Sequence, residues 1–141
     1  MTSCCFPRII LLILLCIVCI ASTCVNAVHV EIINDLESKA DLVVHCKSKE
    51  DDLHARTLAF GQKFSFEFGV SAIIFRNTLF FCGVTIVNDP VLHWFDAFDQ
   101  ERDHEFNRVW KLRKDGACLQ NQSKKFYDTD KASPEACLKW N

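Results

Sequence analysis

The sequence lacks the short motifs that usually accompany catalysis. Its five histidines show neither HxH nor HExxH spacing, and no GxSxG motif occurs, so neither a zinc-protease helix nor a serine nucleophile elbow is indicated. His45 stands beside Cys46, but a Cys–His nucleophile requires a free thiolate, and an even number of exported cysteines leaves none unpaired. We therefore predict that the chain is not an enzyme and that it has no catalytic residues and no cofactor.

The acidic residues form no recognisable metal or catalytic pattern either. Glu50, Asp51 and Asp52 are consecutive, whereas an EF-hand needs alternating ligands, a glycine and a distant glutamate. A second acidic group is too closely spaced along the chain to place two carboxylates across a glycosidase cleft. Its members are Asp96, Asp99, Glu101 and Asp103. Both groups are interpreted as solvated loops, and no metal site is predicted.

Basic residues are not in excess. Sixteen Lys and Arg stand against eighteen Asp and Glu, for a formal net charge of −2. Neither nucleic acid nor an anionic membrane surface is therefore an expected partner. The sequence after residue 27 also lacks a sustained helical period, an internal repeat and a low-complexity tract, which argues against a helical or repeat fold.

The first 27 residues have the order of a secretory signal. A positively charged start that contains Arg8 is followed by an unbroken apolar run, residues 9–20, and then by small and polar residues. Cleavage after Ala27 would leave Val28 as the new N-terminus. The alternative is a membrane anchor, because residues 9–25 carry no charge and approach the length of about 17 to 25 residues that spans a bilayer. Cleavage is favoured, and with it a secreted, extracellular monomer that is not inserted in a membrane.

The remaining residues, 28–141, are the length of one domain with one core. They carry an even number of cysteines, which indicates a framework of two bridges in an oxidising compartment. No two of these cysteines are in CxxC spacing, which argues against a redox centre or a zinc knuckle. Three pairings are open, and we favour Cys118 with Cys137 and Cys46 with Cys82.

Alternating apolar residues predict a mostly β structure. The clearest strand lies at residues 64–68, where three phenylalanines alternate with polar residues, and we interpret these rings as core. A hairpin is predicted around Lys114-Asp115-Gly116. Further strands are predicted at residues 28–33, 42–46, 57–59, 78–87, 92–98, 109–113 and 117–119. Several short strands separated by turn signals indicate an all-β fold, a small, disulfide-braced antiparallel β-sandwich.

Several sequence blocks together resemble one known family. The blocks are Ile33-Asn34-Asp35-Leu36, residues 44–53 (VHCKSKEDDL), Phe64-Ser65-Phe66, residues 78–82 (TLFFC) and Trp94-Phe95-Asp96 leading to Arg102-Asp103, followed by Trp110 and residues 137–141. In this order they resemble the plant self-incompatibility S-protein homologue family over nearly all of residues 28–141.

The resemblance implies a small secreted β-sandwich with intramolecular disulfides and no known enzymatic activity. Its best-understood members are stigma-secreted ligands that bind a pollen membrane receptor. The chain departs from the family in two places. Many members have a CxxC-type pair before the tryptophan that matches Trp110, and residues 104–108 contain no cysteine here. A glycine commonly follows the DDL block where this chain has His54, so an altered loop is expected.

The resulting functional hypothesis is a secreted signalling or recognition ligand whose loops contact a cell-surface receptor protein. A braced scaffold presents loops at a low cost in conformational entropy. The loops chosen are residues 47–54, 88–93 and 99–105. The predicted contact residues within them are Lys47, Lys49, Glu50, Asp51, Asp52, His54, Asp89, His93, Asp99, Glu101, Arg102 and Asp103.

The alternative hypothesis is a secreted defence or cell-wall protein that binds carbohydrate or inhibits a foreign enzyme. In that case Trp94 and Trp140 would stack on sugar rings rather than pack in the core. Asn121-Gln122-Ser123 is the N-glycosylation sequon of the chain, in a polar stretch. Asn121 is accordingly the predicted site of a glycan.

Overall fold

The computed structural model describes residues 6–22, 25–71, 77–120 and 136–140. They contain one helix, α1 (Phe6–Ser22), and nine strands. The strands are β1 (Val25–Asn34), β2 (Leu42–Lys47), β3 (Asp52–Leu58), β4 (Lys63–Ser71), β5 (Leu79–Ile86), β6 (Leu92–Asp99), β7 (Asn107–Arg113), β8 (Gly116–Gln120) and β9 (Ala136–Lys139). All the strands predicted from sequence are present, and β3 is longer than expected.

Helix α1 covers the apolar run of the predicted signal, and the apolar side chains described within it, at residues 9–17, are exposed. Within the part of the chain that the structure describes, no helix is long and apolar enough to span a membrane. Strand β1 begins at Val25, yet its first three residues are exposed and burial starts at Val28. The predicted cleavage after Ala27 thus falls where the core begins, and the cleavage itself stays a prediction.

The strands form two sheets. A five-stranded sheet has the order β4-β1-β7-β8-β9, and a four-stranded sheet has the order β3-β2-β5-β6. This confirms the predicted all-β, disulfide-braced fold, in which the pairing of β1 with β7 is parallel and the other pairings are antiparallel. The chain passes through the four-stranded sheet between β1 and β7, and such a long crossover allows two strands to run in the same direction. Alternation of side chains does not encode this direction.

Aromatic rings fill the space between the sheets. The predicted stack of Phe64, Phe66 and Phe68 lies on β4, with adjacent ring centroids 5.6 and 6.0 Å apart. Phe68 contacts Phe80 and Phe98 of the four-stranded sheet at 4.3 and 5.2 Å. These rings pack against the buried core, as predicted, although each is itself only partly buried.

Trp110 joins the sheets at a second point. It lies on β7, is 1% exposed, and meets Phe95 of β6 edge to face at 5.3 Å. Its indole Nε1–H donates to the carbonyl oxygen of Ala97 at 2.9 Å. One side chain therefore packs against the opposite sheet and hydrogen-bonds to its edge strand.

Both disulfides link strands that pair directly. Cys46–Cys82 joins β2 to β5, and Cys118–Cys137 joins β8 to β9. This is the pairing that the sequence analysis favoured. The bridges close loops of 36 and 19 residues, for which the chain-entropy model gives roughly 3 to 4 kcal/mol each. The exposed Cys16 of helix α1 is free.

Asn34, at the end of β1, is fully buried and satisfied by the backbone. Its Nδ2 donates to the carbonyl oxygens of Ala40 and Leu58, both at 2.9 Å, and its Oδ1 accepts from the N–H of Leu36 at 3.1 Å. The structure shows it holding the end of β1 to the start of β2 and the end of β3.

Backbone conformation or close packing favours glycine at two positions, 54 and 116. His54 has φ 59°, a left-handed conformation that glycine adopts without steric cost. The residue lies where the pairing of β2 with β3 is irregular, between the Lys47–Asp52 and His45–Ala55 pairs. In the β7–β8 hairpin, a Cβ on Gly116 would collide with the carbonyl oxygen of Leu138 on β9, so the third strand can approach only a glycine.

Candidate functional site

The registers show which predicted loops lie together. Lys47 of β2 pairs with Phe81 of β5, which pairs with Asp96 of β6. The loops at residues 47–54 and 99–105 therefore lie at one end of the four-stranded sheet. The turn at residues 88–93 connects the opposite ends of β5 and β6. Two of the three predicted loops can contribute to one surface, and the third cannot join them there.

The end of the four-stranded sheet that carries the loops at residues 47–54 and 99–105 is called the acidic end. We define it as residues 47–52 and 96–108. It contains eight Asp and Glu residues and four Lys and Arg residues. The rest of the sequence holds ten acidic and twelve basic residues. The acidic character of the chain is thus concentrated at this end.

Asp103 is the centre of a buried ion-pair network at the acidic end. Its side chain is 2% exposed and accepts from the Nε and Nη2 of Arg102, both at 2.8 Å. Arg108 Nη2 lies 2.9 Å from Asp103 Oδ1, and the Asp99 N–H donates to Asp103 Oδ2 at 2.9 Å. The prediction that Asp103 is a surface contact is wrong, because sequence spacing does not reveal that a loop folds inward around a carboxylate.

Arg102 also makes a hydrogen bond outside this ion-pair network. Its Nη2 also donates to the carbonyl oxygen of Asp96, 3.0 Å away, on the edge strand β6. Blocked carbonyls are one way in which proteins prevent an edge strand from pairing with another chain. Arg102 remains partly exposed, but its donors are directed at the protein itself.

The environment of Asp103 favours its ionised form. Burial acts to raise the pKa, but the hydrogen bonds from Arg102 and the Asp99 N–H, with the charges of Arg108 and Arg102, outweigh burial and hold the pKa of Asp103 below its ordinary value. A carboxyl whose pKa is lowered by folding stabilises the protein above its unfolded pKa, and this contribution is lost as the pH falls through the folded value.

We predict that Asp103→Asn lowers the free energy of unfolding by about 2 kcal/mol at neutral pH, because Arg108 loses its buried counter-charge. The difference from the unmodified protein should shrink as the pH falls from about 5 through the ordinary pKa of an aspartate and on through the lowered pKa of folded Asp103. Urea unfolding at a series of pH values measures both quantities. A difference that stays constant across this range would contradict the assignment.

Asp52 organises a second, exposed ion-pair cluster. His45 Nε2 lies 2.6 Å and Lys47 Nζ 3.2 Å from its two carboxylate oxygens, and the His54 N–H donates to Oδ1 at 2.8 Å. The hydrogen bond from His45 is the largest of the effects that lower the pKa of Asp52, followed by that from the His54 N–H. Three predicted contact residues, Lys47, Asp52 and His54, thus bind one another.

The other predicted contact residues divide into exposed and locally bonded groups. Asp89 caps its own turn by accepting from the Val91 N–H at 3.1 Å, and Asp99 Oδ1 accepts from the Glu101 N–H at 2.9 Å. His93 is half-buried and stacks on Trp140 at 4.9 Å. The exposed side chains that remain are Lys49, Glu50, Asp51 and Glu101.

Sequence reasoning missed the outer face of the four-stranded sheet. Cross-strand pairs on this face include Gly83 with Trp94 and Thr85 with Leu92. Trp94 is 43% exposed and Leu92 49% exposed, and two neighbouring valines at the β5–β6 turn, Val87 and Val91, are similarly exposed. A contiguous exposed group of this kind typically marks an interaction surface. We call Trp94, Leu92, Val87 and Val91 the apolar patch.

The indole of Trp94 packs against the sheet surface beneath it. A Cβ on Gly83 would lie only 3.2 and 3.3 Å from Cζ3 and Cη2 of the indole, so the six-membered ring packs directly on the glycine backbone. The Phe81 ring lies 5.8 Å away. One side of the indole therefore rests on the sheet while the side chain stays widely exposed, an arrangement that limits the entropy lost when a partner binds.

The outer face of the five-stranded sheet is chemically different. Its cross-strand neighbours form ion pairs, His29 with Glu67 at 3.1 Å and Lys63 with Glu31 at 3.0 Å. Such exposed pairs are typical of a solvated surface and contribute little to stability. The two outer faces thus differ, one charged and internally paired and the other carrying an exposed tryptophan and aliphatic side chains.

Trp140 has a structural role. Its Nε1–H is directed at the carbonyl oxygens of Lys114 and Arg113, at 2.8 and 3.2 Å. Its ring stacks on His93 and meets Phe95 edge to face at 6.3 Å. Of the two tryptophans considered for sugar stacking, Trp94 alone presents a widely exposed ring.

No group of three or more His, Cys, Asp or Glu side chains that could hold a metal occurs in the described ranges. Asn121, the predicted glycan site, lies outside the described residues. An open cleft of about 420 Å³ separates the edge strands β6 and β9 and is lined by Trp94, Asp96, Arg102 and Leu138 among others. Trp94 therefore belongs to the apolar patch and also lines this cleft.

Comparison with known proteins agrees with this architecture. The family model described as plant self-incompatibility protein S1 matches residues 29–140. S-protein homolog 2 of Arabidopsis thaliana is 40% identical over 119 residues, which cover 79% of this chain and 67% of that protein. S-protein homolog 29 of Arabidopsis thaliana is 32% identical over 114 residues, with 79% and 76% covered, and S-protein homolog 18 is 35% identical over 104 residues, with 71% and 75% covered. No solved structure matches the chain. The chain belongs to the plant self-incompatibility protein S1 family.

Proposed function

We propose that this chain is a secreted, non-enzymatic recognition ligand that binds a protein on a cell surface. The observation that carries the proposal is the contrast between its two outer faces. One carries two cross-strand pairs of polar side chains, His29 with Glu67 and Lys63 with Glu31, whereas the other exposes Trp94 and Leu92 on a disulfide-braced sheet. Interfaces between proteins concentrate their binding energy in a few such aromatic anchors.

Three further features support the proposal. Residues 1–27 have the pattern of a cleavable secretory signal. The Cys46–Cys82 bridge lies directly behind the exposed face, between its two central strands, so the surface is rigid before a partner arrives. The histidines and carboxylates that sequence analysis weighed as catalytic groups are engaged with one another or spread along loops.

The test is binding of the labelled, exported protein to intact plant cells, pollen included. We expect saturable binding that unlabelled protein competes and that protease treatment of the cells abolishes. Trp94→Ala should weaken binding by at least about tenfold, as expected for an interface anchor. Glu67→Ala, on the other outer face, is the matched surface control and should bind as the unmodified protein does. Binding that survives protease treatment, or equal binding by both variants, would refute the proposal.

A further inference from the structure

We infer that the partner presents a basic segment in which arginine or lysine alternates with apolar side chains, and that this segment binds across the apolar patch and the acidic end. The inference rests on the proposed function and specifies the chemistry of the partner. It depends on where the charges of this chain lie, on which of them are already paired, and on the position of Trp94 between the two regions.

Three of the four cations of the acidic end are already paired. Arg102 and Arg108 bind Asp103, and Lys47 binds Asp52. The fourth, Lys49, is exposed. By contrast, the carboxylates of Asp51, Asp96 and Glu101 are exposed and form no ion pair with a described residue. The surface of the acidic end therefore carries more negative charge than its own cations neutralise.

Asp96 places part of this charge beside Trp94. The two residues stand two positions apart on β6, and side chains at that spacing share one face of a strand. An arginine or lysine of the partner can lie over the exposed indole, which attracts cations, while its charge approaches the Asp96 carboxylate. Leu92 and the exposed valines continue the same face and provide contacts for apolar side chains.

A second copy of this chain does not fit the surface. It would bring another acidic end of the same sign to the interface, which electrostatics disfavours. The outer face of four strands measures roughly 19 by 20 Å, or about 400 Å², half of the about 800 Å² per partner that a stable interface buries. A short basic segment has both the size and the charge that the surface requires.

The probe is an acetylated, amidated hexapeptide of alternating leucine and arginine, and its binding is measured by fluorescence of Trp94 and by calorimetry. Two control peptides replace either every arginine by glutamate or every leucine by serine. We expect the leucine–arginine peptide to bind, the glutamate peptide not to bind, and the serine peptide to bind at least about tenfold more weakly. Affinity should fall as salt rises, because exposed charges are screened.

The variants are assayed by calorimetry with the same peptide. Asp96→Asn should weaken binding by about fivefold, the size of one exposed ion pair, and Trp94→Ala by at least about tenfold. Asp115→Asn is the matched control, since it removes the same charge from the exposed β7–β8 hairpin, and it should leave affinity unchanged.

Several results would overturn the inference. These are equal binding of the glutamate peptide, equal effects of Asp96→Asn and Asp115→Asn, and Trp94-dependent binding of a neutral oligosaccharide in place of the peptide. If binding to cells is saturable and depends on Trp94, but Asp96→Asn has no effect, the proposed recognition function is supported and the basic partner is refuted. If the protein binds the peptide as described but does not bind cells, the proposed function is refuted instead.

Discussion

Replacing Trp110 by alanine is expected to lower the free energy of unfolding by about 3 to 5 kcal/mol, the range for large buried aromatic residues. The side chain is almost fully buried, packs against Phe95 of the opposite sheet, and donates to the Ala97 carbonyl. Its removal leaves a cavity between the sheets and an unpaired backbone acceptor. Because domains of this size are stable by only about 5 to 15 kcal/mol, the yield of exported protein should also fall sharply.

Urea unfolding followed by far-ultraviolet circular dichroism measures this change. Trp110→Phe separates the two contributions, because it retains most of the ring volume but removes the N–H donor, and it should cost about 1 to 3 kcal/mol. Trp94→Ala is the matched tryptophan control on the surface and should have a smaller effect than Trp110→Ala. A loss below about 1 kcal/mol for Trp110→Ala would contradict the joining role assigned to this residue.

Replacing Asn34 is expected to have the second large effect. Asn34→Ala leaves the carbonyl oxygens of Ala40 and Leu58 and the N–H of Leu36 without their side-chain partner. Each unsatisfied buried group costs about 1 to 3 kcal/mol, so a loss of about 3 kcal/mol or more is expected. Asn34→Asp should be worse at neutral pH, because it directs a buried negative charge at two carbonyl oxygens.

The same unfolding experiment tests this prediction, with Asn77→Ala as control. Asn77 is exposed, and its replacement should change stability by no more than about 0.5 kcal/mol. If Asn34→Asp becomes relatively less destabilising as the pH falls, the penalty arises from the charge. A similar small effect at both positions would show that the hydrogen bonds of Asn34 do not hold the strand ends together.

The strands were predictable from sequence, whereas two of their relationships were not. The alternation of apolar and polar side chains at residues 64–68 correctly predicted which of them are more buried, because each face of a strand meets one environment. The parallel pairing of β1 with β7 depends on the path of the chain through the other sheet, and no local pattern encodes this path. Local sequence also does not reveal the role of Asn34, because its buried hydrogen bonds involve residues up to 24 positions away.

The surface was less predictable for a related reason. Charged loop residues were expected to be exposed, yet Asp103 is buried by two arginines that the fold brings around it. Trp94 was considered as either a core residue or a sugar-stacking residue, and it is 43% exposed whereas its neighbour Phe95 is buried. Adjacent side chains of a strand point to opposite faces, so the register of the edge strand decides which of the two rings faces the core.

The position of β1 also governs when the fold can be completed during biosynthesis. This strand lies between β4 and β7, and its contacts with β7 join residues such as Asp35 and Arg113 that are 78 positions apart. A ribosome delivers the chain from its N-terminus, so β1 can pair with β4 but not with β7 until the last third of the polypeptide has emerged. Non-local contacts of this kind slow folding, and we expect the native state to form only after the whole domain has been synthesised.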